Sequence, residues 1–434
     1  MSDLALPHRR ALTRARAVLA AGALAGALAV AVAIAIAAAA GSPYLVRVAP
    51  DAFPGWMAGP FAGLGGQIGL AELAELLVLF ALCAFTATFT VDALPAPVVV
   101  GAIVALNAIF LLTPPLLSAD LFGYVTFGRL GALHGLDPYT HAAIAAPGDA
   151  AYPFVGWHHS LSPYGPLFTV LTYGLVQLGV AGSVWALKAV AFGASLGIVA
   201  IVWKLAEARG QDPRRAAAIV GLNPIVLVYA VGGGHNDLLM LLLMVASVAL
   251  VLGRREGAGA AGAVAAAGLK ISAIVLLPFL VLGARRRGRA LAGAALALAG
   301  VALTAVVAFG SHATGFAEVL SAQQRYVSHF SVPDGIRDVL GLHSFAPWLR
   351  LALQLALVGA IGVLLVRVWR GADWVAAAGW ALLALTVTTT WLMVWYTIWA
   401  LPFAAISRSR PLLAAAIAVQ VFMLAQVVVV GLLH

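Results

Sequence analysis

Long, uninterrupted apolar runs dominate this sequence and restrict the folds open to it. Several runs extend for about 20 residues, the length that an α-helix needs to cross a hydrocarbon core of about 30 Å. Hydrophobic residues make up 63% of the chain and charged residues only 9%, against about a quarter charged in an average soluble domain. The runs also lack the alternation of β-barrel strands. We therefore predict an all-α polytopic membrane protein.

The basic residues give a net charge of +9, but they lie in short clusters between the apolar runs. This pattern is typical of cytoplasmic loops and does not indicate a nucleic-acid partner. The single cysteine, Cys83, lies within an apolar run, so we predict no disulfide and no cysteine metal site. Arginines precede the apolar stretch 17–40, which is too long for a signal-peptide core. We expect an uncleaved first span and a cytoplasmic N-terminus in the plasma membrane.

The segment 164–182 decides the predicted topology. Its uninterrupted apolar part is about 14 residues, and a span needs roughly 17–25. If it crossed the membrane, fourteen basic residues of the later loops would lie outside. If it lies along the outer interface, those residues and the four arginines of the N-terminal arm are all cytoplasmic, as the positive-inside rule requires. We therefore predict an interfacial helix here.

On this basis residues 1–434 form one transmembrane domain with about 13 membrane helices. Residues 118–183 are a large external loop with juxtamembrane helices, and 310–348 are a second external segment. The predicted spans are 17–40, 70–91, 98–117, 184–204, 214–231, 238–253, a hairpin of two short helices over 257–284 with its tip at Lys270, 290–309, 349–368, 374–392, 394–407 and 411–433.

Polar side chains collect at the predicted outer ends of these spans. Asp120 follows one span, the run Gly232–Asp237 follows another, Lys270 lies at the hairpin tip, and Arg325 lies in the second external segment. Polar groups at membrane level are costly, so this one-sided arrangement indicates a site at the outer boundary. A carboxylate can take a proton from an acceptor hydroxyl, and nearby cations can neutralise a departing phosphate.

Simpler explanations stand beside this interpretation. Asp120 could cap a helix, Lys270 could extend to the headgroups, and the Gly-rich run could be a plain loop. The adjacent pair His158-His159 is a weak metal signal, and we predict no metal site. We expect Asp137–Tyr139 to form a turn and Asp149 to be solvated. Trp391, Trp395, Tyr396 and Trp399 are expected to form an outer aromatic belt.

An ordered set of motifs gives the chain a family resemblance. The motifs are Ser118-Ala-Asp-Leu-Phe-Gly-Tyr124, Gly135-Leu-Asp-Pro-Tyr139, Ser162-Pro-Tyr-Gly-Pro166, Leu222-Asn-Pro224, Gly233-Gly-His-Asn-Asp237 and Gly268-Leu-Lys270. The set resembles the actinobacterial polyprenol-phosphate-mannose-dependent α-1,6-mannosyltransferases, within the GT-C glycosyltransferases. The resemblance covers roughly residues 100–290. It implies a GT-C fold, a lipid-phosphate sugar donor, reaction at the outer face, inversion at the anomeric carbon, and no required metal. We expect no cofactor.

The resemblance implies that Asp120 is the catalytic base. We expect Lys270, His235 and Arg325 to hold the donor phosphate. We expect the sugars to be bound or the neighbouring groups to be oriented by Asp237, Asn236, Tyr164, His159 and Tyr124. The expected partners are a polyprenyl phosphate mannose, a glycolipid or mannan acceptor, and membrane lipid. A transferase for another lipid-linked sugar, or a lipid-linked sugar transporter, remains as an alternative.

Overall fold

The computed structural model describes residues 5–48 and 53–433, with side chains described for 13–48 and 53–426. Every regular element in these ranges is helical, as expected. The first half contains α1 (Ala5–Ala39), α2 (Gly55–Ala58), α3 (Leu70–Thr90), α4 (Ala96–Leu111), α5 (Asp120–His134), α6 (Pro166–Leu175), α7 (Gly179–Ala208), α8 (Pro213–Gly221) and α9 (Asp237–Leu252). The second half contains α10 (Glu256–Leu269), α11 (Leu276–Gly283), α12 (Arg287–Phe309), α13 (Gly315–Gln323), α14 (Val332–Val339), α15 (Pro347–Trp369), α16 (Trp374–Thr388), α17 (Leu401–Ile406) and α18 (Arg410–Leu433).

Within the described residues, five helical stretches are long and apolar enough to cross a membrane. A sixth is added if α8 and the π-helix Ile225–Val231, which meet at 46°, are counted as one broken span. Six further apolar helices are shorter, at 10–17 residues. The architecture is that of a helical membrane protein, and the count of about 13 membrane helices remains a prediction.

The longest helical stretch, Pro166–Ala208, has 43 residues. At 1.5 Å per residue it would extend about 65 Å, roughly twice the thickness of a hydrocarbon core. Gly179 interrupts it with a φ of 67°, in the left-handed region that glycine adopts most readily. Part of this stretch must therefore lie outside the core, and the interfacial position of α6 stays a prediction.

The predicted hairpin over 257–284 is present, whereas two predicted spans have different boundaries. Helices α10 and α11 pack together, and Lys270 between them is extended. The predicted span 98–117 is wrong at its end, because α4 stops at Leu111 before two prolines that cannot continue an α-helix. The predicted span 394–407 is instead a 3-10 turn, Val394–Ile398, followed by the six-residue α17.

Candidate active site

Asp120 does not end the preceding span as predicted; it is the first residue of α5. The hydroxyl of Ser118 accepts the Asp120 backbone N–H at 3.1 Å. Just before it, Leu117 has a φ of 58°, a conformation that costs a non-glycine residue about 1–2 kcal/mol. The Leu117 N–H donates to the Leu45 carbonyl at 2.7 Å, which helps to hold this strained turn. The turn presents the Asp120 carboxylate with 19% of its side chain exposed.

His235 lies directly behind Asp120. Its Nδ1 is 3.8 Å from Asp120 Oδ2, beyond hydrogen-bond distance, and its side chain is fully buried. The imidazole stacks on Trp395 with ring centres 3.7 Å apart. The Tyr124 hydroxyl lies 3.4 Å from His235 Nδ1 and donates to Asn236 Oδ1 at 3.3 Å. Three predicted residues, His235, Asn236 and Tyr124, therefore form a buried polar group, and His235 places that group beside Asp120.

Burial determines how the two titratable groups of this pair behave. It raises the pKa of Asp120 from 3.8 to about 6; the Lys270 charge opposes the rise and the Asp237 carboxylate adds to it. Burial, together with the Lys270 charge, holds the pKa of His235 well below its usual 6.5. The imidazole is therefore neutral at pH 7, and Asp120 is largely ionised there.

A second buried group forms around Asp237, which is fully buried as the first residue of α9. Lys270 Nζ lies 2.8 and 2.9 Å from its two carboxylate oxygens. Trp399 Nε1 donates to Oδ1 at 2.7 Å. The Lys270 ammonium also lies 4.2 Å from the ring centre of Tyr396. Because two of its three N–H groups can satisfy Asp237, Lys270 retains one donor for another anion.

The predicted aromatic belt is wrong for three of its four members. Trp395 and Trp399 are only 6% and 3% exposed, so they cannot form a lipid-facing belt. Trp395 stacks on His235, Trp399 donates a hydrogen bond to Asp237, and the ring of Tyr396 lies against the Lys270 ammonium. Trp391 lines a cavity that Asp120 and Lys270 also line. These residues come from the irregular segment after α16, where the helix breaks turn the rings inward.

Lys188 is a buried residue that was not among the predicted site residues. It lies on α7 with no exposed surface and donates to Gly232 O at 2.6 Å, and to Thr113 Oγ1 and Pro114 O at 3.3 Å each. It therefore joins the segment that leads to Asp120 with the glycine run that leads to Asp237. A charged residue within an apolar run is a signal that could have revealed it.

The three glycines of this run allow close contact between segments of the protein. Gly234 has a φ of 68°, and a Cβ there would lie 2.1 Å from Leu121. A Cβ on Gly232 would lie 2.8 Å from Leu116. The glycine run can thus lie directly against α5 and the turn before it, which brings His235 to Asp120.

A backbone contact between two other glycines sets the position of Tyr164 relative to Lys270. Gly165 N–H donates to Leu269 O at 3.0 Å. A Cβ on Gly165 would lie 2.2 Å from the Gly268 carbonyl oxygen. Since Tyr164 precedes Gly165 and Lys270 lies two residues after Gly268, the close approach brings both residues to one wall of a cavity.

This first cavity has a volume of about 210 Å³ and contains three predicted residues, Asp120, Tyr164 and Lys270. Its other walls come from α5, the 155–163 loop, α13 and the aromatic segment. Arg325 and His159 are exposed and do not line it. The structure therefore brings most of the predicted site together and leaves these two residues apart.

A second cavity, of about 560 Å³, also contains Asp120. Trp157, Trp391 and Met393 line both cavities, so Asp120 lies at their boundary. The second cavity is further lined by Arg47, His329 and Tyr229. The Tyr229 hydroxyl and the Trp395 indole N–H are buried without a hydrogen-bond partner among the described residues.

The acidic residues of the first external loop hold the loop together. Asp149 was expected to be solvated, but this is wrong: it bonds Arg129 at 2.8 Å and His134 at 2.7 Å. Burial alone would raise the pKa of Asp149, but these bonds outweigh it and lower the pKa. Asp137–Tyr139 forms a turn as predicted, closed by the Tyr139 N–H on Asp137 Oδ1. Among the described residues no group of three His, Cys, Asp or Glu side chains is arranged for a metal ion.

Comparisons with known proteins agree with the motifs. Residues 19–286 match the family described as "Alpha-(1->6)-mannopyranosyltransferase, N-terminal domain". The chain is 30% identical to alpha-(1->6)-mannopyranosyltransferase A of Mycobacterium tuberculosis over 337 residues, which cover 70% of this chain and 64% of the relative. It is 31% identical to the Corynebacterium glutamicum protein of the same name over 198 residues, which cover 44% of this chain and 40% of the relative.

A third relative, alpha-(1->6)-mannopyranosyltransferase B of C. glutamicum, is 29% identical over 153 residues, or 33% of this chain and 25% of the relative. The matches thus span less than two thirds of the relatives' length. No solved structure matches the chain. The family match covers Asp120, His235, Asp237 and Lys270, and on its strength the chain belongs to the alpha-(1->6)-mannopyranosyltransferase family.

Proposed function

We propose that this protein transfers a mannosyl residue from a polyprenyl phosphate donor to a hydroxyl of a mannan-type acceptor, with an α-1,6 linkage. The position of Asp120 at the boundary of two cavities is the observation that supports this most directly. A transferase must bring a donor and an acceptor to one base, and two cavities that share one carboxylate provide that arrangement. The names of the family members supply the sugar and the linkage.

Asp120 acts as the general base in this proposal. It takes the proton of the acceptor hydroxyl while the hydroxyl oxygen forms a bond to the anomeric carbon of the donor. The bond from that carbon to the phosphate oxygen breaks, and its electron pair leaves with the phosphate. A single displacement inverts the anomeric carbon. The raised pKa of Asp120, about 6, makes it a stronger base than an exposed carboxylate while it stays largely ionised at pH 7.

Lys270 holds the leaving phosphate. It is the cation that lines the first cavity beside Asp120, and its third N–H is free of Asp237. Asp237 and Trp399 act as positioning residues, because they fix the ammonium without reaching the cavity wall. His235 is neutral and fully buried, so it supports Asp120 and does not bind phosphate. Tyr164, on the same wall, is placed to contact the sugar.

The lipid tail of the donor requires a membrane, and the apolar helices provide the setting for it. We place the site at the outer face of the plasma membrane, because the positive-inside rule puts the basic clusters on the cytoplasmic side. Arg325 and His159 lie outside both cavities. We assign them to the approach of the acceptor chain.

The test uses purified protein in lipid nanodiscs with a polyprenyl phosphate mannose, a polyprenyl phosphate glucose and a short α-1,6-mannoside. We expect a mannose-extended product by mass spectrometry and a new α-1,6 linkage by NMR. Asp120→Asn should lower turnover about 100-fold or more, the usual contribution of a general base. The matched control is Asp338→Asn, since the Asp338 side chain is 65% exposed in the second external segment.

Three outcomes would contradict the proposal. Retention of more than about a tenth of wild-type turnover in Asp120→Asn would exclude this residue as the base. Transfer of glucose in preference to mannose would reassign the donor. Movement of the donor across a vesicle membrane without any glycosidic product would make the protein a transporter.

A further inference from the structure

A cavity lined by arginines lies at the opposite end of α9 and α10 from the candidate active site. Its volume is about 540 Å³, and it is lined by Arg254, Glu256, Arg285, Arg286 and Arg289. Helix α9 has Asp237 at its first residue and ends at Leu252, next to this cavity. Sixteen residues at 1.5 Å per residue separate the two places by about 24 Å. The arginine-lined cavity and the candidate active site therefore lie at opposite ends of α9.

The charge around the arginine-lined cavity is strongly positive. Four guanidinium groups and one carboxylate line the cavity, and in the described part of the chain none of the four arginines forms an ion pair. Glu256 is the first residue of α10 and is only 4% exposed, so one carboxylate is fixed at the base of the cavity. Unpaired arginines around a concave surface repel one another unless an anion lies between them. The cavity thus lacks about three negative charges.

The backbone at Arg254 adds a second, independent observation. Arg254 has a φ of 64° just after α9, at a position where helices commonly place glycine. A side chain in this left-handed conformation is strained, because its Cβ lies too close to the following carbonyl oxygen. The residue before it is a glycine, yet an arginine occupies the strained position and directs its side chain to the cavity. Strained residues of this kind collect at functional sites.

The surroundings of the cavity are apolar and exposed, as expected for contact with lipid. Helix α12 begins at the arginines and carries Leu291, Leu296 and Leu298 with 57%, 77% and 61% of their surface exposed. The Arg287 guanidinium lies 5.0 Å from the ring centre of Trp369, which is 69% exposed. Tryptophan with arginine at a helix end is typical of the headgroup region of a bilayer. The arginine cavity therefore lies where phospholipid headgroups lie.

We infer that this cavity binds the phosphate groups of an anionic membrane phospholipid, with the acyl chains along the exposed leucines of α12. Arginine binds phosphate through two parallel N–H bonds, and several arginines from two segments can hold a headgroup with two phosphates. The membrane location and the apolar wall select a lipid over a soluble phosphate compound. This assignment is independent of the transfer reaction.

The experiment titrates a lipid with two phosphates in its headgroup, a diphosphatidylglycerol, into the full-length protein in a neutral detergent, with native mass spectrometry as the readout. Phosphatidylcholine and inorganic pyrophosphate are titrated in parallel. Wild-type protein should retain the diphosphatidylglycerol and not phosphatidylcholine. Arg285→Gln with Arg289→Gln should lower the affinity about tenfold or more, since each tenfold step needs only about 1.4 kcal/mol. Arg285→Lys with Arg289→Lys should recover part of the loss.

The matched control is Lys204→Gln with Arg410→Gln, which removes the same charge from two exposed residues. An equal loss of lipid binding in test and control variants would show general surface attraction only and overturn the inference. Displacement of the lipid by pyrophosphate at equal concentration would reassign the cavity to a soluble anion. The thermal unfolding midpoint of each variant without added lipid is measured first. If Arg285→Gln with Arg289→Gln does not fold, the same affinity comparison with Arg254→Gln decides the inference.

Discussion

Replacement of Trp399 by phenylalanine tests whether the aromatic segment belongs to the site. The change removes the indole N–H that donates to Asp237 at 2.7 Å and keeps an aromatic ring near Tyr396. Because Asp237 is fully buried, water cannot replace the lost donor. A hydrogen bond to a charged group contributes about 1.5–3 kcal/mol. If all of this free energy stabilises the transition state, its loss should lower the rate about 10- to 150-fold.

The assay is the initial rate of mannosyl transfer in nanodiscs, at several donor concentrations. We expect the loss in kcat/KM for the donor, because Asp237 positions the lysine that faces the phosphate. Trp348→Phe is the control, since Trp348 is 57% exposed and belongs to neither cavity. The double variant Asp237→Asn with Trp399→Phe should be little worse than Asp237→Asn alone, because the two residues act through one bond. A Trp399→Phe rate within about twofold of wild type would refute the reasoning, since it would leave less than about 0.5 kcal/mol for this bond.

Three further predictions concern Asp120, the buried Lys188 and the ion pair of Asp149. The rate should decline as the pH falls through about 6, because the base Asp120 is then protonated, and a pH–rate profile that stays flat to pH 5 would contradict this. Lys188→Met should destabilise the protein by about 1–3 kcal/mol, because the buried Pro114 carbonyl loses its donor while Gly232 O keeps the Leu116 N–H, and an unchanged thermal unfolding midpoint would exclude this role. Asp149→Ala should cost about 3–5 kcal/mol by leaving the Arg129 charge without its partner, with Glu318→Ala as the exposed control in the same measurement.

The sequence was most informative where composition and one-sided polarity constrain the chain. Apolar runs predicted the long helices, whereas the interfacial position that the basic clusters indicate for the segment before α7 stays a prediction. The convergence of Asp120, Asp237 and Lys270 was also predictable, because costly polar groups at span ends have few other reasons to collect on one side. The role of each residue was less predictable. His235 is a buried support and not a phosphate ligand in our proposal, since its burial depends on Trp395 from a distant segment.

The aromatic cluster and Lys188 show two different limits of sequence reasoning. Tryptophans at the end of a span most commonly face the lipid interface, and no local pattern distinguishes an inward from an outward ring. Trp395 and Trp399 lie in the break between α16 and α17, where the 3-10 turn Val394–Ile398 packs against the π-helix Ile225–Val231. For Lys188 the signal was present, as a lone cation in an apolar helix, but its partners are backbone carbonyls that carry no sequence signature.

The contact between Gly165 and Gly268 has a consequence for substrate choice. No side chain separates these two backbones, so the spacing between Tyr164 and Lys270 is set by atoms that never touch a sugar. Gly165→Ala would need the two segments to separate by about 1 Å to restore an ordinary van der Waals contact. Gly165→Ala would therefore widen the cavity between Tyr164 and Lys270 by about the size of a methyl group, without changing any side chain that lines the cavity. Relatives that accept bulkier glycans could arise by this single step.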